Sequence, residues 1–262
     1  MKIALYSDLH LESGDWAVPD AAREADVIVL AGDIAMGEDG LNWATRAFAG
    51  RPVVFVAGNH DFYDYNISLL AKMRAAHWAD RGVHFLENRA IEIEGVRFLG
   101  CTLWSRFDLY GSGTQQELAM SVARQRINDY LMIRGRTGKR LQPKHTLAMH
   151  RASVAWLDAE LAMPYDGKTV VVTHFAPHRG CVAPEHEGSA VSPYFVTDLA
   201  WLMEKHCIHL WCHGHTHTGT DFIAEGGCRV VSNQLGYPTE RREVIGGVIY
   251  NTGFRTNLLI DA

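Results

Sequence analysis

The sequence lacks any apolar run long enough to cross a bilayer, and it is poor in cysteine. A membrane-spanning helix needs roughly 20 consecutive apolar residues, and no stretch of the 262-residue chain approaches that length. The five cysteines form an odd set without close spacing, which argues against a disulfide framework and favours a reducing compartment. The short apolar run before Ser7 is unlike a signal peptide. These absences predict a cytoplasmic protein that does not insert into a membrane.

The chain also lacks the overall positive charge that favours binding to nucleic acid. Its net charge is −5, and this charge is unevenly distributed. Residues 104–151 hold nine Lys or Arg against three Asp or Glu, a net +6, which leaves −11 for the rest. An acidic body fits DNA or RNA poorly. The basic segment can either meet an anionic substrate or form a solvated helix face, and composition alone does not decide between them.

Apolar, β-branched runs alternate with helical patterns along most of the chain. This alternation predicts an α/β fold with parallel strands. Predicted strands lie at 2–7, 27–32, 52–57, 169–173 and 208–212, and predicted helices lie at 19–25, 39–49, 66–80, 114–133, 146–162 and 195–206. Three short strands between 83 and 101 read as a meander. The length, without linker or repeat, predicts one domain over 1–262 with a basic helical insertion at about 104–151.

Five short polar motifs stand where predicted buried strands end. Parallel strands bring such ends to one edge of a sheet, where α/β folds bind their ligands. Residues i and i+2 of an extended segment point to the same side, so the two Asp-x-His and His-x-His pairs can each serve one ion. Oxygen and nitrogen donors without thiolate suit manganese, iron or zinc. The motifs are Asp8-Leu9-His10, Gly32-Asp33, Gly58-Asn59-His60-Asp61, Thr173-His174 and Gly214-His215-Thr216-His217.

Three of these residues are informative mainly as members of the set. Asp33 follows Gly32, where glycine lets the backbone turn and approach another group, and its carboxylate has two oxygens that can bridge two cations. Asn59 supplies a neutral carbonyl oxygen, although alone it could be a turn residue. His174 alone could equally be a core histidine. The ordered series, and not any single residue, indicates a metal site.

The ordered series resembles the motifs of the calcineurin-like metallophosphoesterase superfamily, from residue 6 to residue 217. The resemblance implies a four-layer αββα sandwich of two mixed β-sheets with flanking helices. It also implies two divalent or trivalent metal ions, drawn from manganese, iron and zinc, with manganese expected to serve in vitro. By motif position one ion would be held by Asp8, His10, Asp33 and His217. The other would be held by Asp33, Asn59, His174 and His215, with Asp33 as the bridge.

The resemblance implies a metal-dependent phosphoesterase in which a metal-bridging hydroxide attacks phosphorus. His60 lies beside a predicted ligand but is assigned to neither metal, so it is the candidate general acid for the leaving alkoxide. Asp33, as the bridging ligand, is counted with His60 as catalytic. Asp61 could orient His60 or fix the turn, and the turn role is favoured.

Departures from other branches of the superfamily narrow the expected substrate. The Arg and second Asp that follow Gly-Asp in protein Ser/Thr phosphatases are missing here, and Met36 stands where purple acid phosphatases carry a tyrosine ligand. Gly-Asn-His-Asp is more similar to bacterial phosphodiesterases. We therefore expect a small-molecule phosphodiester or nucleotide as substrate, and neither nucleic acid nor a membrane as partner. The alternatives are a phosphomonoesterase with the same centre and a non-catalytic metal-binding scaffold, which the complete ligand set disfavours.

The basic segment 104–151 is expected to cap the metal cleft. It is too long for a simple connection in a compact domain. Arginine side chains there can offer paired N–H donors to phosphate oxygens. The candidates are Arg124, Arg126, Arg134 and Arg136.

Overall fold

The computed structural model describes residues 1–74, 76–244 and 247–262. Its strands are β1 Lys2–Tyr6, β2 Val27–Ala31, β3 Val53–Val56, β4 Val83–Phe85, β5 Arg89–Ile93, β6 Val96–Cys101, β7 Lys168–Thr173, β8 Leu210–His213, β9 Asp221–Ile223, β10 Arg229–Ser232, β11 Arg241–Val244, β12 Gly247–Tyr250 and β13 Leu259–Asp261. Its α-helices are α1 Asp39–Ala47, α2 Leu70–Met73, α3 Thr114–Arg126, α4 Asp129–Met132, α5 Pro143–Leu161, α6 Ser192–Phe195 and α7 Ala200–Lys205. In the part of the chain so described, no helix is both long and apolar enough to cross a membrane.

Two mixed sheets form the centre of the fold. The first has five strands in the order β13-β1-β2-β3-β4, parallel except for the antiparallel edge strand β13. The second has six strands in the order β5-β6-β7-β8-β10-β9, with β5 and β9 as antiparallel edges. The predicted strand runs are continuous apolar segments because both faces of each inner strand are covered.

The two sheets pack face to face, and helices cover their outer faces. Ile3 and Leu5 of β1 belong to a buried apolar cluster with Val170 and Val172 of β7, so this cluster lies between the sheets. The alternate residues of β1 belong to a second cluster that includes residues of α1, α5 and α7. Because side chains alternate along a strand, one strand serves both layers. The predicted four-layer αββα sandwich of two mixed sheets is confirmed.

Several element predictions were wrong in detail. The predicted helix 19–25 is a 3₁₀ turn over Asp20–Arg23. The predicted meander is split, because β4 pairs in parallel with β3 of the first sheet whereas β5 and β6 form a hairpin in the second. The predicted helix 66–80 is broken into 3₁₀ turns around the short α2, and residue 75 lies outside the described residues. The predicted helix 195–206 is divided into α6 and α7, because the backbone N–H groups of Thr197 and Leu199 bond to the carbonyls of Ala176 and Pro177.

The segment 104–151 holds α3, α4 and the first half of α5. The predicted single helix 114–133 is interrupted after Arg126, where Ile127 is extended. The helix predicted at 146–162 begins earlier, because Pro143 occupies a first-turn position and Gln142 accepts a bond from the N3 backbone. The division into one domain with an insertion at 104–151 stays a prediction.

Candidate metal centre

The predicted ligands meet at one end of the two sheets. β1, β2 and β3 of the first sheet and β7 and β8 of the second direct their C-terminal ends to this place. In the described part of the chain, three groups of side chains could each hold a metal ion, because the ligand atoms within a group all lie within 4.8 Å of one another. The groups share members. The groups are Asp8 with His10 and His217, His10 with Asp33 and His60, and Asp33 with His174 and His215. Asp33 and His10 therefore connect two sets of donors.

The first set is built around Asp8, which is fully buried. Its Oδ1 lies 3.3 Å from His217 Nε2, and that nitrogen lies 3.1 Å from His10 Nε2. The backbone N–H of His215 donates to both Asp8 oxygens at 3.1 Å, and Ser7 Oγ donates to Oδ2. These bonds fix the orientation of the carboxylate. One of its oxygens and one nitrogen from each of the two imidazoles therefore lie close enough together to bind one ion.

The second set joins Asp33, Asn59 and His174. His174 Nε2 lies 3.3 Å from Asp33 Oδ2 and 3.0 Å from Asn59 Oδ1. His174 Nδ1 lies 2.9 Å from the carbonyl oxygen of Ala31, so it donates its proton there. Such a backbone bond fixes the tautomer and the ring orientation, and it leaves Nε2 directed at the centre. The neutral amide oxygen of Asn59 therefore lies beside the predicted ligands Asp33 and His174.

His215 provides the test of whether the residues fit a metal ion. Its Nε2 is buried and has no hydrogen-bond partner among the residues that the structure describes. Burial and the nearby His174 lower the pKa of His215 well below its usual value, so the ring is neutral and one of its two nitrogens carries a lone pair that can bind a cation. A buried polar atom without a partner is costly. Because the same ring lies in a donor group with Asp33 and His174, the site fits a cation.

Five predicted ligands have a left-handed backbone, a conformation that residues other than glycine rarely adopt. Each such position costs on the order of 1–3 kcal/mol, and such positions concentrate at functional sites. The left-handed conformation turns the chain sharply after the strands, so the ligand side chains point toward the centre and away from the sheet. The residues and their φ angles are Asp8 at 53°, His10 at 46°, Asp33 at 53°, His215 at 74° and His217 at 48°.

Two glycines allow the loops to approach each other closely. A Cβ at Gly58 would collide with the Asp33 carboxylate, and a Cβ at Gly32, where φ is 88°, would collide with the His174 ring. Asp61 completes this arrangement, because its Oδ2 accepts from the backbone N–H of Gly58 at 2.8 Å and of Asp33 at 3.1 Å. Asp61 thus holds the backbone of the two loops together, which agrees with the turn role that the sequence analysis favoured.

His60 stands where the two sets of donors meet. Its backbone N–H donates to Asp33 Oδ1 at 2.8 Å, and its ring stacks on Tyr63 with 4.0 Å between centroids. The ring Nε2 lies 3.0 Å from the hydroxyl of Tyr237, and Nδ1 lies 3.4 Å from Glu12 Oε1. Burial lowers the pKa of His60, but the negative charges of Asp33 and Glu12 outweigh burial, and the net pKa is raised.

Sequence reasoning missed three residues around these histidines. Glu12 Oε1 lies 3.1 Å from His10 Nδ1, and Glu240 Oε2 lies 2.7 Å from His217 Nδ1. The ring of Tyr237 stacks on His10 with 4.3 Å between centroids. A carboxylate on the outer nitrogen of a histidine orients the ring and raises its basicity as a ligand. Glu12 follows His10 by two residues and continues the i, i+2 parity, whereas the other two lie beyond the last motif.

His213 shares the parity of the last motif but faces away from the centre. Its Nδ1 lies 3.0 Å from the carbonyl oxygen of Gly214, and its Nε2 lies 3.0 Å from Thr220 Oγ1 and 3.3 Å from Cys181 Sγ. These contacts give His213 a structural place beside the centre.

A cavity of about 450 Å³ opens beside the centre. Asp33, Asn59 and His60 line one part of it, and apolar side chains such as Ile127 and Val182 line another. Of the four arginines expected to serve the cleft, Arg126 lines this cavity. Arg124 and Arg136 instead line a second cavity of about 1450 Å³, and Arg134 lines neither of the two. The geometry thus supports a contribution to the cleft from Arg126.

The chain is similar in sequence and in structure to known proteins. The chain is 24% identical, over 275 aligned positions covering 92% of this chain and 93% of the other, to an uncharacterised protein of Acanthamoeba polyphaga mimivirus. It is similar in structure to a phosphopantetheinyl hydrolase from Mycobacterium tuberculosis, with a TM-score of 0.65, 20% identity, and 91% and 90% of the two chains covered. A dimetal phosphatase from Danio rerio gives a TM-score of 0.51 at 15% identity, with 89% and 87% covered.

The sequence profile of the calcineurin-like phosphoesterases matches residues 1–219, which include all five motifs. This range covers both donor sets and the loop that carries His60. The predicted resemblance is confirmed, and with it the expectation of a family that uses a dinuclear metal centre. The chain belongs to the calcineurin-like phosphoesterase family.

Proposed function

We propose that this protein is a metal-dependent phosphoesterase that hydrolyses a small-molecule phosphodiester or nucleotide. The observation that carries the proposal is the meeting of two donor sets at Asp33 and His10, with His60 at their junction. Asp8, His10, Asp33 and His217 would hold one metal ion, and Asp33, Asn59, His174 and His215 would hold the other. Bound metal ions would supply Lewis acidity toward phosphate oxygens and a lowered pKa for a bound water, and manganese is the ion proposed for assays.

The chain's own residues would orient the ester and move a proton. His60 lines the cavity, and it is the group proposed to protonate the leaving oxygen. Glu12, 3.4 Å from Nδ1, would hold the ring orientation. The apolar wall that includes Ile127 and Val182 would receive the alcohol part of the ester and exclude water from it. A diester is favoured because the cavity extends beyond the predicted ligands along an apolar wall, which offers space for a second alcohol group, and Arg126 on its lining can bond an anionic oxygen.

The test is hydrolysis by manganese-loaded protein of a panel of paired esters. The panel contains a nitrophenyl diester and monoester, cyclic and linear nucleotides, glycerophosphodiesters, and a phosphopantetheinyl ester, because a solved structural relative is a phosphopantetheinyl hydrolase. Metal-dependent turnover with higher kcat/KM on diesters than on matched monoesters supports the proposal. Faster monoester turnover overturns the diester preference, and failure to turn over any ester in protein that binds manganese leaves the scaffold alternative.

Replacing Arg126 with glutamine should raise KM for an anionic diester roughly tenfold. The reason is that an exposed hydrogen bond from a charged side chain to phosphate contributes about 1.4 kcal/mol, and this free energy corresponds to a tenfold change in affinity. kcat and metal content should stay unchanged, and added salt should partly reproduce the effect in the wild-type protein. Steady-state kinetics at two salt concentrations measures this.

Arg124→Gln is the matched control for this prediction. Arg124 is also exposed, lies two residues earlier on α3, and lines the second cavity. The variant removes the same charge from the same helix and should leave KM unchanged. Equal KM values for both variants and the wild-type protein would exclude Arg126 from the substrate site.

A further inference from the structure

Asp129 is a buried carboxylate that the five motifs do not include. It begins α4, within the basic segment, and its residue is completely buried. Its Oδ1 accepts from Asn59 Nδ2 at 2.9 Å and from the hydroxyl of Tyr63 at 2.9 Å, and its Oδ2 accepts from the hydroxyl of Tyr194. A buried carboxylate needs such donors to offset the loss of water. Three donors from two separate stretches of chain, the loop 59–63 and α6, meet on this one side chain.

Each of the three donors leads on to the metal centre. Asn59 turns its Oδ1 toward His174, 3.0 Å from Nε2. Tyr63 stacks on the His60 ring with 4.0 Å between centroids. The ring of Tyr194 lies 5.3 Å from the ring of His215. The Asp129 carboxylate therefore bonds directly to the predicted ligand Asn59. It also holds the tyrosine that stacks on His60 and the tyrosine that packs against His215.

The bond to Asn59 has a consequence for ligand identity. A side-chain amide has a donor end and an acceptor end, and only the oxygen can bind a cation. Because a carboxylate accepts and does not donate, it holds the NH₂ end of Asn59 and forces the oxygen toward the centre. An amide without this partner could rotate by half a turn and present N–H groups to the cation. Outer partners of metal ligands commonly set metal affinity in this way.

We propose that Asp129 is a positioning residue for the metal centre, which holds the Asn59 amide with its oxygen toward the second metal position and holds the Tyr63 ring under His60. This inference rests on the proposed function, because it assumes that Asn59 is a ligand. It gives the basic segment a role in building the centre, in addition to any contact of Arg126 with substrate.

Manganese titration of the metal-free protein by calorimetry tests this role separately from activity. Asp129→Ala should weaken binding at one of the two sites by roughly 10–100-fold, the usual effect of losing an outer partner. Asp129→Asn should recover most of that affinity, because its one oxygen can still accept from Asn59 and Tyr63. Glu117→Ala, which removes an exposed acid from the same segment, should bind manganese like the wild-type protein.

Thermal unfolding identifies the variants that are folded and can be compared. If Asp129→Ala does not fold, Asp129→Ser replaces it, because serine keeps a polar atom but is too short to reach Asn59, and the same weakening is expected. Wild-type affinity at both sites in a folded Ala or Ser variant would overturn the proposal and leave Asp129 a structural residue. A wild-type protein that binds no manganese would instead overturn the proposed function.

Discussion

Replacing Asp33 with alanine is expected to abolish phosphoester hydrolysis and to lower metal occupancy at both positions. The two donor sets are connected through this residue, whose Oδ2 lies 3.3 Å from His174 Nε2 and whose Oδ1 accepts from the His60 backbone at 2.8 Å. A bound metal contributes several kcal/mol to phosphoryl chemistry, so losing it costs on the order of 10³-fold or more, at 1.36 kcal/mol for each tenfold change in rate. Elemental analysis and kcat of the purified variant measure the two effects.

Two further variants separate charge from backbone strain at this position. Asp33 has φ of 53°, which alanine tolerates poorly but asparagine tolerates well. Asp33→Asn should therefore fold like the wild-type protein and still lose metal and activity. Asp39→Ala makes the same side-chain change at an exposed position in the first turn of α1 and should change neither. Full occupancy of two sites in an inactive Asp33→Ala protein would show that the bridging ligand is another residue.

The second large effect is expected from His60, in proportion to how poor the leaving group is. A general acid contributes about 10²–10⁴-fold, and it is needed least when the leaving oxyanion is already stable. His60→Ala should cost that factor on an alkyl ester and much less on a nitrophenyl ester of the same phosphate type. Metal content should be retained, because both donor sets remain complete without His60. Paired kcat/KM values on the two esters, with elemental analysis, make the measurement.

The control for His60 is His84→Ala, which removes a partly exposed imidazole from β4, at the edge of the first sheet. It should leave both esters unaffected. Equal losses on the two esters in His60→Ala would remove the acid role and leave only phosphate positioning. Loss of metal in that variant would instead place His60 among the ligands, which the donor group of His10, Asp33 and His60 permits by distance.

The part of the centre that sequence could predict is the part that lies directly after buried strands. Asp8, Asp33 and His174 each follow an apolar run. Parallel pairing brings Asp8 and Asp33 to one edge of the first sheet, and the packing of the two sheets brings His174 beside them. Alternation does not tell which strand will be the neighbour, which is why β4 was assigned to the wrong arrangement. Its two buried residues, Val83 and Phe85, suit either sheet.

The residues that could not be predicted are those that approach the centre from irregular segments. Asp129 lies 70 residues from Asn59, and no local pattern links them. Tyr237 and Glu240 approach His60 and His217 from a 3₁₀ turn beyond the last motif. Their positions follow from the folding of long connections over the sheet ends. Glu12 is different, because its i, i+2 spacing from His10 was a local signal that could have identified it, although it was not predicted.

The left-handed backbone at five predicted ligands lowers the stability of the fold, so selection for stability and selection for metal binding favour different residues at these positions. At each of these positions glycine would relieve the backbone, and at positions 10, 215 and 217 asparagine would strain it less than histidine does. A lineage released from catalysis would therefore gain stability by losing its ligands first, since most natural proteins lie close to the stability threshold they need. Among relatives that have drifted to other roles, glycine or asparagine should accumulate at positions 8, 10, 33, 215 and 217 before the strands change. This chain has aspartate or histidine at all five positions.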